Sequence, residues 1–159
     1  MNNGNIKTLA TIAMILQGLN VALGIGIVVL QRTLVSALMV KTLDSARTVF
    51  PITLVFMILQ LLIYYAFYSI SQKEGNGILV IVLIILSIVF SIISVVGNAI
   101  GSIFYSRVVG LEAVAMYSSV TTLVSYSNVI FGIPAAPLFY IACGQYTASG
   151  NSKAEKTED

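Results

Sequence analysis

The chain of 159 residues has no histidine, no tryptophan, one cysteine and three prolines, and only 9% of its residues are charged. Each absence removes a class of chemistry. Without histidine there is no imidazole for acid–base work near neutral pH. The lone Cys143 has no partner for an intrachain disulfide, and the chain lacks the Cys/His sets that bind zinc, haem or iron–sulfur clusters. Cys143 lies in an apolar run and reads as an inert buried thiol. The scarcity of charge also excludes a water-compatible surface. A soluble domain averages about 25% charged and about 45–50% apolar residues, whereas this chain is 58% apolar. Its eight basic and six acidic residues are scattered singly except in the tail, where Lys153, Glu155, Lys156, Glu158 and Asp159 cluster. No basic stripe is present to neutralise phosphates, so nucleic acid is not an expected partner.

What the chain does have is long uncharged runs. Charged residues delimit four of them, over 8–30, 49–70, 77–105 and 120–146. Each reaches the roughly 20 residues that cross about 30 Å of hydrocarbon as a helix. The first is too long for the apolar core of a cleaved signal peptide and reads as a retained span. The runs are continuous rather than alternating, which excludes barrel strands. The expected fold is an all-α integral membrane protein, an antiparallel four-helix transmembrane bundle with a left-handed supercoil. Residues 1–146 form its single four-span domain and residues 147–159 a disordered polar tail. Residues 33–41 lack glycine and proline and are expected to extend the first helix past the membrane surface, with a turn at 44–48. Pro51 is expected in the first turns of the second helix, and residues 111–124 extend the fourth toward its N-terminus.

Four spans put both termini on one side of the membrane, with the turn at 71–76. Tyr64, Tyr65, Tyr68, Tyr140 and Tyr146 fall toward that side, as an interfacial aromatic belt would. Lys7, Lys73, Lys153 and Lys156 flank the spans there, and Arg32, Lys41, Arg47 and Arg107 flank them opposite. This even split leaves the positive-inside rule without a preference. A multi-pass cell-membrane protein with both termini in the cytoplasm is expected, because the polar tail then need not be translocated.

Inside the spans the small and polar residues recur at alternating steps of three and four, the spacing of one stripe facing a neighbour. The stripes are Ala10, Ala13, Gln17, Asn20 and Gly24; Thr53, Met57, Gln60, Tyr64 and Phe67; Ser87, Ser91, Ser94, Asn98 and Gly101; and Ser118, Thr121, Ser125, Asn128, Gly132 and Ala135. They nominate a polar axis of Gln17, Asn20, Gln60, Ser91, Ser94, Asn98, Ser125 and Asn128. These groups serve either as interhelical glue or as the lining of a polar pathway. Gly18 with Ala22, and Gly97 with Gly101, form small-xxx-small pairs suited to intrachain packing or to a homodimer. Pro134 and Pro137 each remove a backbone donor, which predicts a kink or hinge in the fourth helix.

No carboxylate pair, metal-ligand spacing or nucleophile–base pair occurs, so neither an enzyme nor a metal or cofactor site is expected. Proton- or cation-coupled transport usually relies on an Asp, Glu, Lys or His within the membrane, and the four runs contain none of these. The expected function is that of a small four-span membrane protein acting through helix packing or assembly, as an accessory subunit, scaffold or membrane organiser. Its partners are the lipid bilayer and a second copy or another membrane protein. The alternative is an oligomeric channel or carrier for a neutral or weakly polar solute, lined by the Asn, Gln and Ser groups.

Overall fold

A computed structural model describes residues 3–37, 52–72, 77–108 and 111–155, and all of them except Gln72 are helical. The elements are α1 (Asn3–Ala37), α2 (Ile52–Ser71), α3 (Gly77–Val108), α4 (Leu111–Ser127) and α5 (Ile133–Glu155). A π-helical turn, Asn128–Gly132, joins α4 to α5 without a break. Four helical segments are long and apolar enough to cross a membrane: Gly4–Gln31, Thr53–Ser71, Gly77–Gly97 and Ser118–Ser149. The 35 residues of α1 give a helix about 52 Å long at 1.5 Å per residue, which exceeds the hydrocarbon thickness. The expected extension over 38–41, the turn at 44–48, Pro51 and residues 73–76 lie outside the described residues, as do the side chains of Arg32, Asn98 and Gly101.

One boundary differs from expectation. The tail does not lose structure at Tyr146, because α5 continues to Glu155. Propagating a helix that is already nucleated requires only one more bond per residue fixed, and this carries α5 through Gly150 and Asn151, which are poor helix formers.

The spans form a four-cornered arrangement. α1 packs on α2, α2 on α3, α3 on α4 and α5, and the α4–α5 stretch returns to α1. α1 and α3 occupy opposite corners and do not touch among the described residues. Neighbours run antiparallel. Gln17 meets Met57 while Gly24 meets Leu54, and Gln60 meets Ser87 while Phe56 meets Phe90.

Two apolar clusters fill the interior. The larger, toward the chain termini, contains Ala10, Ala13, Ile63, Phe67, Val80 and Phe139 among its buried residues. Its aromatic rings interlock: Tyr64 stacks on Phe139 with centroids 4.3 Å apart and planes within 9°, and Phe67 meets the same ring edge-on at 5.5 Å. The smaller cluster, toward the long connections, contains Val21, Leu54, Met57, Val120 and Val124. Gly24 lets α1 and α2 close there, since a Cβ on it would stand 2.8 Å from the Leu54 Cδ1 atom. The outer surface is apolar as well, most of all on α3, where Ile78 and Val95 are 81% and 73% exposed.

The fourth span departs from the sequence pattern in an instructive way. Among the described side chains of α4 the buried ones are Val120, Val124 and Ser127, not Ser118, Thr121 and Ser125. Alternating steps of three and four from these would lead to residues 134, 138 and 141. The buried positions in α5 include Ala135, Phe139 and Ala142, each one residue later, with Cys143 buried beside the last. The π turn absorbs the extra residue: the Ile133 N–H donates to the Asn128 carbonyl, five residues back. The proline signal thus marks a π turn that resets the helix face. Deleting Val129, which is exposed, should convert the turn to regular α-helix and leave both buried faces aligned. The variant is expected to unfold cooperatively with a loss below about 2 kcal/mol, while deleting Leu19, also exposed, from the regular α1 should abolish the fold. Thermal unfolding in detergent, followed by circular dichroism, distinguishes the two.

Candidate functional site: a ring of hydrogen bonds at mid-span

The polar side chains gather at the level between the two apolar clusters. Gln17, Gln60, Ser87 and Gly132 each fall within two residues of the middle of their span. On α1, Asn20 is fully buried and Gln17 nearly so. The Asn20 Nδ2 group donates to Asn128 Oδ1 at 3.0 Å and to Gln17 Oε1 at 3.4 Å. Its Oδ1 accepts from the Ser127 hydroxyl at 2.8 Å, and that hydroxyl also lies 3.1 Å from the Asn20 carbonyl oxygen. Gln17 Nε2 donates to the Met57 carbonyl of α2 at 3.0 Å. The amide pair of α1 therefore ties together the first span, the second span and the π turn of the fourth.

A second group completes the circuit. Gln60 Nε2 donates to the hydroxyls of Ser87 and Ser91 on α3, both at 3.4 Å. The Ser87 and Tyr140 hydroxyls share a bond of 3.2 Å that joins α3 to α5. Every pair of adjacent spans is thus bridged by at least one side-chain hydrogen bond near the middle of the bundle. In lipid each such bond contributes about 0.6 kcal/mol on average, but an amide left bare in hydrocarbon would lose far more.

The structure brings together Gln17, Asn20 and Asn128, and separately Gln60 with Ser91. Ser125 lies elsewhere: it is exposed, with its hydroxyl turned back onto the Thr121 carbonyl at 2.7 Å. Ser94 is half-buried and joins neither group, and the side chain of Asn98 is outside the described residues. Ser91 is exposed although it reaches Gln60, and it too donates to a carbonyl one turn back, that of Ser87. Ser127 and Tyr140 were not nominated for the axis. Ser127 follows from the three-and-four spacing of Val120 and Val124 once those residues are read as the inner face. Tyr140, assigned by its sequence position to the interfacial belt, turns its hydroxyl to Ser87 at mid-span instead. Tyr64, from the same belt, is 1% exposed.

No protein-family model matches the chain, and comparisons with curated proteins and with solved structures find no match. Its chemistry is therefore read from the site alone. The ring consists of amides, hydroxyls and the backbone carbonyls of Met57 and Asn20, with no charged member, so what it offers is neutral hydrogen bonding.

Gly132 makes the ring possible. A Cβ built on it would overlap the Asn128 Oδ1 atom and stand 2.6 Å from Asn20 Nδ2. Gly132→Ala should therefore expel the Asn128 carboxamide and lower stability by about 1–3 kcal/mol, the usual consequence of orphaning buried partners. Gly18→Ala, where nothing lies within 4 Å of the added carbon, should change it by less than about 0.5 kcal/mol. Equilibrium unfolding in mixed micelles reads both values.

Proposed function

We propose that this chain is a four-span protein of the cell membrane that works by helix packing and assembly, as an accessory subunit, scaffold or membrane organiser. The reading takes the four spans as a left-handed antiparallel bundle in the bilayer, with both termini in the cytoplasm. The observation that carries it is the hydrogen-bonded ring. Asn20 engages its oxygen and its amino group with partners from two spans, and apolar clusters lie on both sides of it. Polar groups arranged in this way fix register and hold helices together. A pathway for solute would instead need groups left free to bind what passes. The absence of charged side chains from the hydrogen-bonded ring favours the same non-catalytic reading.

Assembly has a face available. Gly18, Ala22 and Gly26 follow one another at four-residue steps on the outer side of α1, and no atom lies within 4 Å of a Cβ placed at Gly18 or Gly26. Small residues at this spacing let helix backbones approach closely in lipid. The expected partner at this face is a second copy or another membrane protein.

Native mass spectrometry of the full chain in nanodiscs tests the proposal. A multimer is expected, converted to monomer by Gly18→Ile with Gly26→Ile while the melting temperature is retained. The paired change Asn20→Leu with Asn128→Leu should weaken folding and assembly together. If that pair left both intact and abolished a flux of neutral solute into liposomes, the ring would be a pathway and the packing role would be wrong.

A further inference from the structure

The large apolar side chains on the outside of the bundle end at matching heights on different spans. The mid-span ring gives the common level. Gln17 of α1 bonds to Met57, one turn from Gln60, and Gln60 bonds to Ser87 of α3. Gly132 lies beside the contact of Asn20 with Asn128. Toward the chain termini, exposed Ile78 lies nine residues from Ser87, and exposed Ile141 nine residues from Gly132. Toward the long connections, exposed Leu30 lies thirteen residues from Gln17, and exposed Ile100 thirteen residues from Ser87. Ile103, also exposed, continues the α3 surface by most of a turn. At 1.5 Å per residue the belt on α3 is about 33 Å tall from Ile78 to Ile100, and about 37 Å to Ile103. The charges give a similar length: Lys7 and Arg32, with no charge between them, stand about 38 Å apart along α1. An average hydrocarbon core is about 30 Å thick.

The shape of the belt decides what covers it. α1 and α3 stand at opposite corners of the bundle, yet Leu30 and Ile100 reach one height, as Ile78 and Ile141 do on adjacent spans. A docked protein would lengthen the apolar surface on one side only, whereas a bilayer sets one edge around the whole circumference. We infer that the bundle is fitted to a thick bilayer, one of long-chain phospholipids whose hydrocarbon core is about 33–37 Å deep. This deepens the membrane reading proposed above and rests on it. In a thinner bilayer Leu30, Ile100 and Ile103 would reach the headgroups, or the lipid would have to stretch around them. The spans cannot shorten the belt by sliding separately, because the ring holds α1, α2 and α3 in one register. The belt is also uneven, extending about 14 Å from the ring toward the termini and about 20–24 Å toward the connections. The excess over an average bilayer therefore lies on the side of the connections.

Thermal unfolding of the full chain, followed by circular dichroism in vesicles of three phosphatidylcholines, tests the fit. Dimyristoleoyl, dioleoyl and dierucoyl chains give thin, intermediate and thick bilayers with the same headgroup. The melting temperature is expected to rise along this series and to be several degrees higher in dierucoyl than in dioleoyl vesicles. Leu30→Gln combined with Ile100→Gln and Ile103→Gln shortens the belt with exposed, helix-compatible changes. That variant should melt highest in dioleoyl vesicles. For the native chain, a maximum in dioleoyl or thinner lipid would overturn the thick-bilayer fit and leave the membrane reading standing, as would an unmoved maximum in the variant. A melting temperature that ignores chain length would overturn the fit too. Disulfide crosslinking between copies bearing Ile103→Cys would then identify protein as the cover of that end of α3. Failure to enter any of the three vesicles would overturn the fit and the membrane reading together.

Discussion

A carboxamide buried among apolar helices cannot fall back on water, and this restriction shapes the whole bundle. Asn20 sits at the middle of α1 with both ends of its side chain engaged, by Gln17 on its own helix and by Ser127 and Asn128 on the fourth. Gln17 carries the connection to α2 through the Met57 carbonyl, Gln60 carries it to α3, and Ser87 with Tyr140 returns it to α5. The depth of each helix relative to its neighbours follows from these bonds, because sliding any span by a turn would strand at least one amide. Apolar packing above and below is less selective, since leucine and valine rows pack about as well one turn away and lipid tails are as apolar as they are.

The details of the fourth span serve the same requirement. Its π turn places Asn128 beside Asn20 and shifts the inner face by one residue, so that Ala135, Phe139 and Ala142 continue what Val120, Val124 and Ser127 began. Gly132 clears the volume into which the two carboxamides fit. Pro134 falls directly after the π turn, where the regular bonding pattern is already interrupted, whereas Pro137 lies inside α5 and removes one of its donors.

The four spans and the inner face of α1 were legible in the sequence, for separable reasons. Charge avoidance marks spans whatever their packing. α1 is a regular helix throughout, so Ala10, Ala13, Gln17, Asn20 and Gly24 all lie on its buried side. In the fourth span the expected stripe fails before the π turn, at Ser118, Thr121 and Ser125, and meets the buried side from Asn128 onward, because a three-and-four pattern assumes an unbroken helix and the π turn adds one residue. The serines misled for a chemical reason. Ser91 and Ser125 satisfy their own hydroxyls with carbonyls one turn back, so a serine tolerates lipid and its presence says little about direction. The amides of Gln17, Asn20, Gln60 and Asn128 have no such recourse, and all four reach a neighbouring span. In a chain of this kind amides locate the axis and hydroxyls do not.

The separation of the bonded residues along the chain bears on biosynthesis. Gln17 meets Met57 after 40 residues, whereas Asn20 meets Asn128 only after 108. On the proposed membrane reading, the first span enters the bilayer with its amides exposed, and the second span satisfies only one of them. Until the fourth span arrives, the bond from Asn20 to Gln17 within α1 is the one internal contact available to that side chain. The first helix inserts as an incomplete part, and the last one made closes the ring.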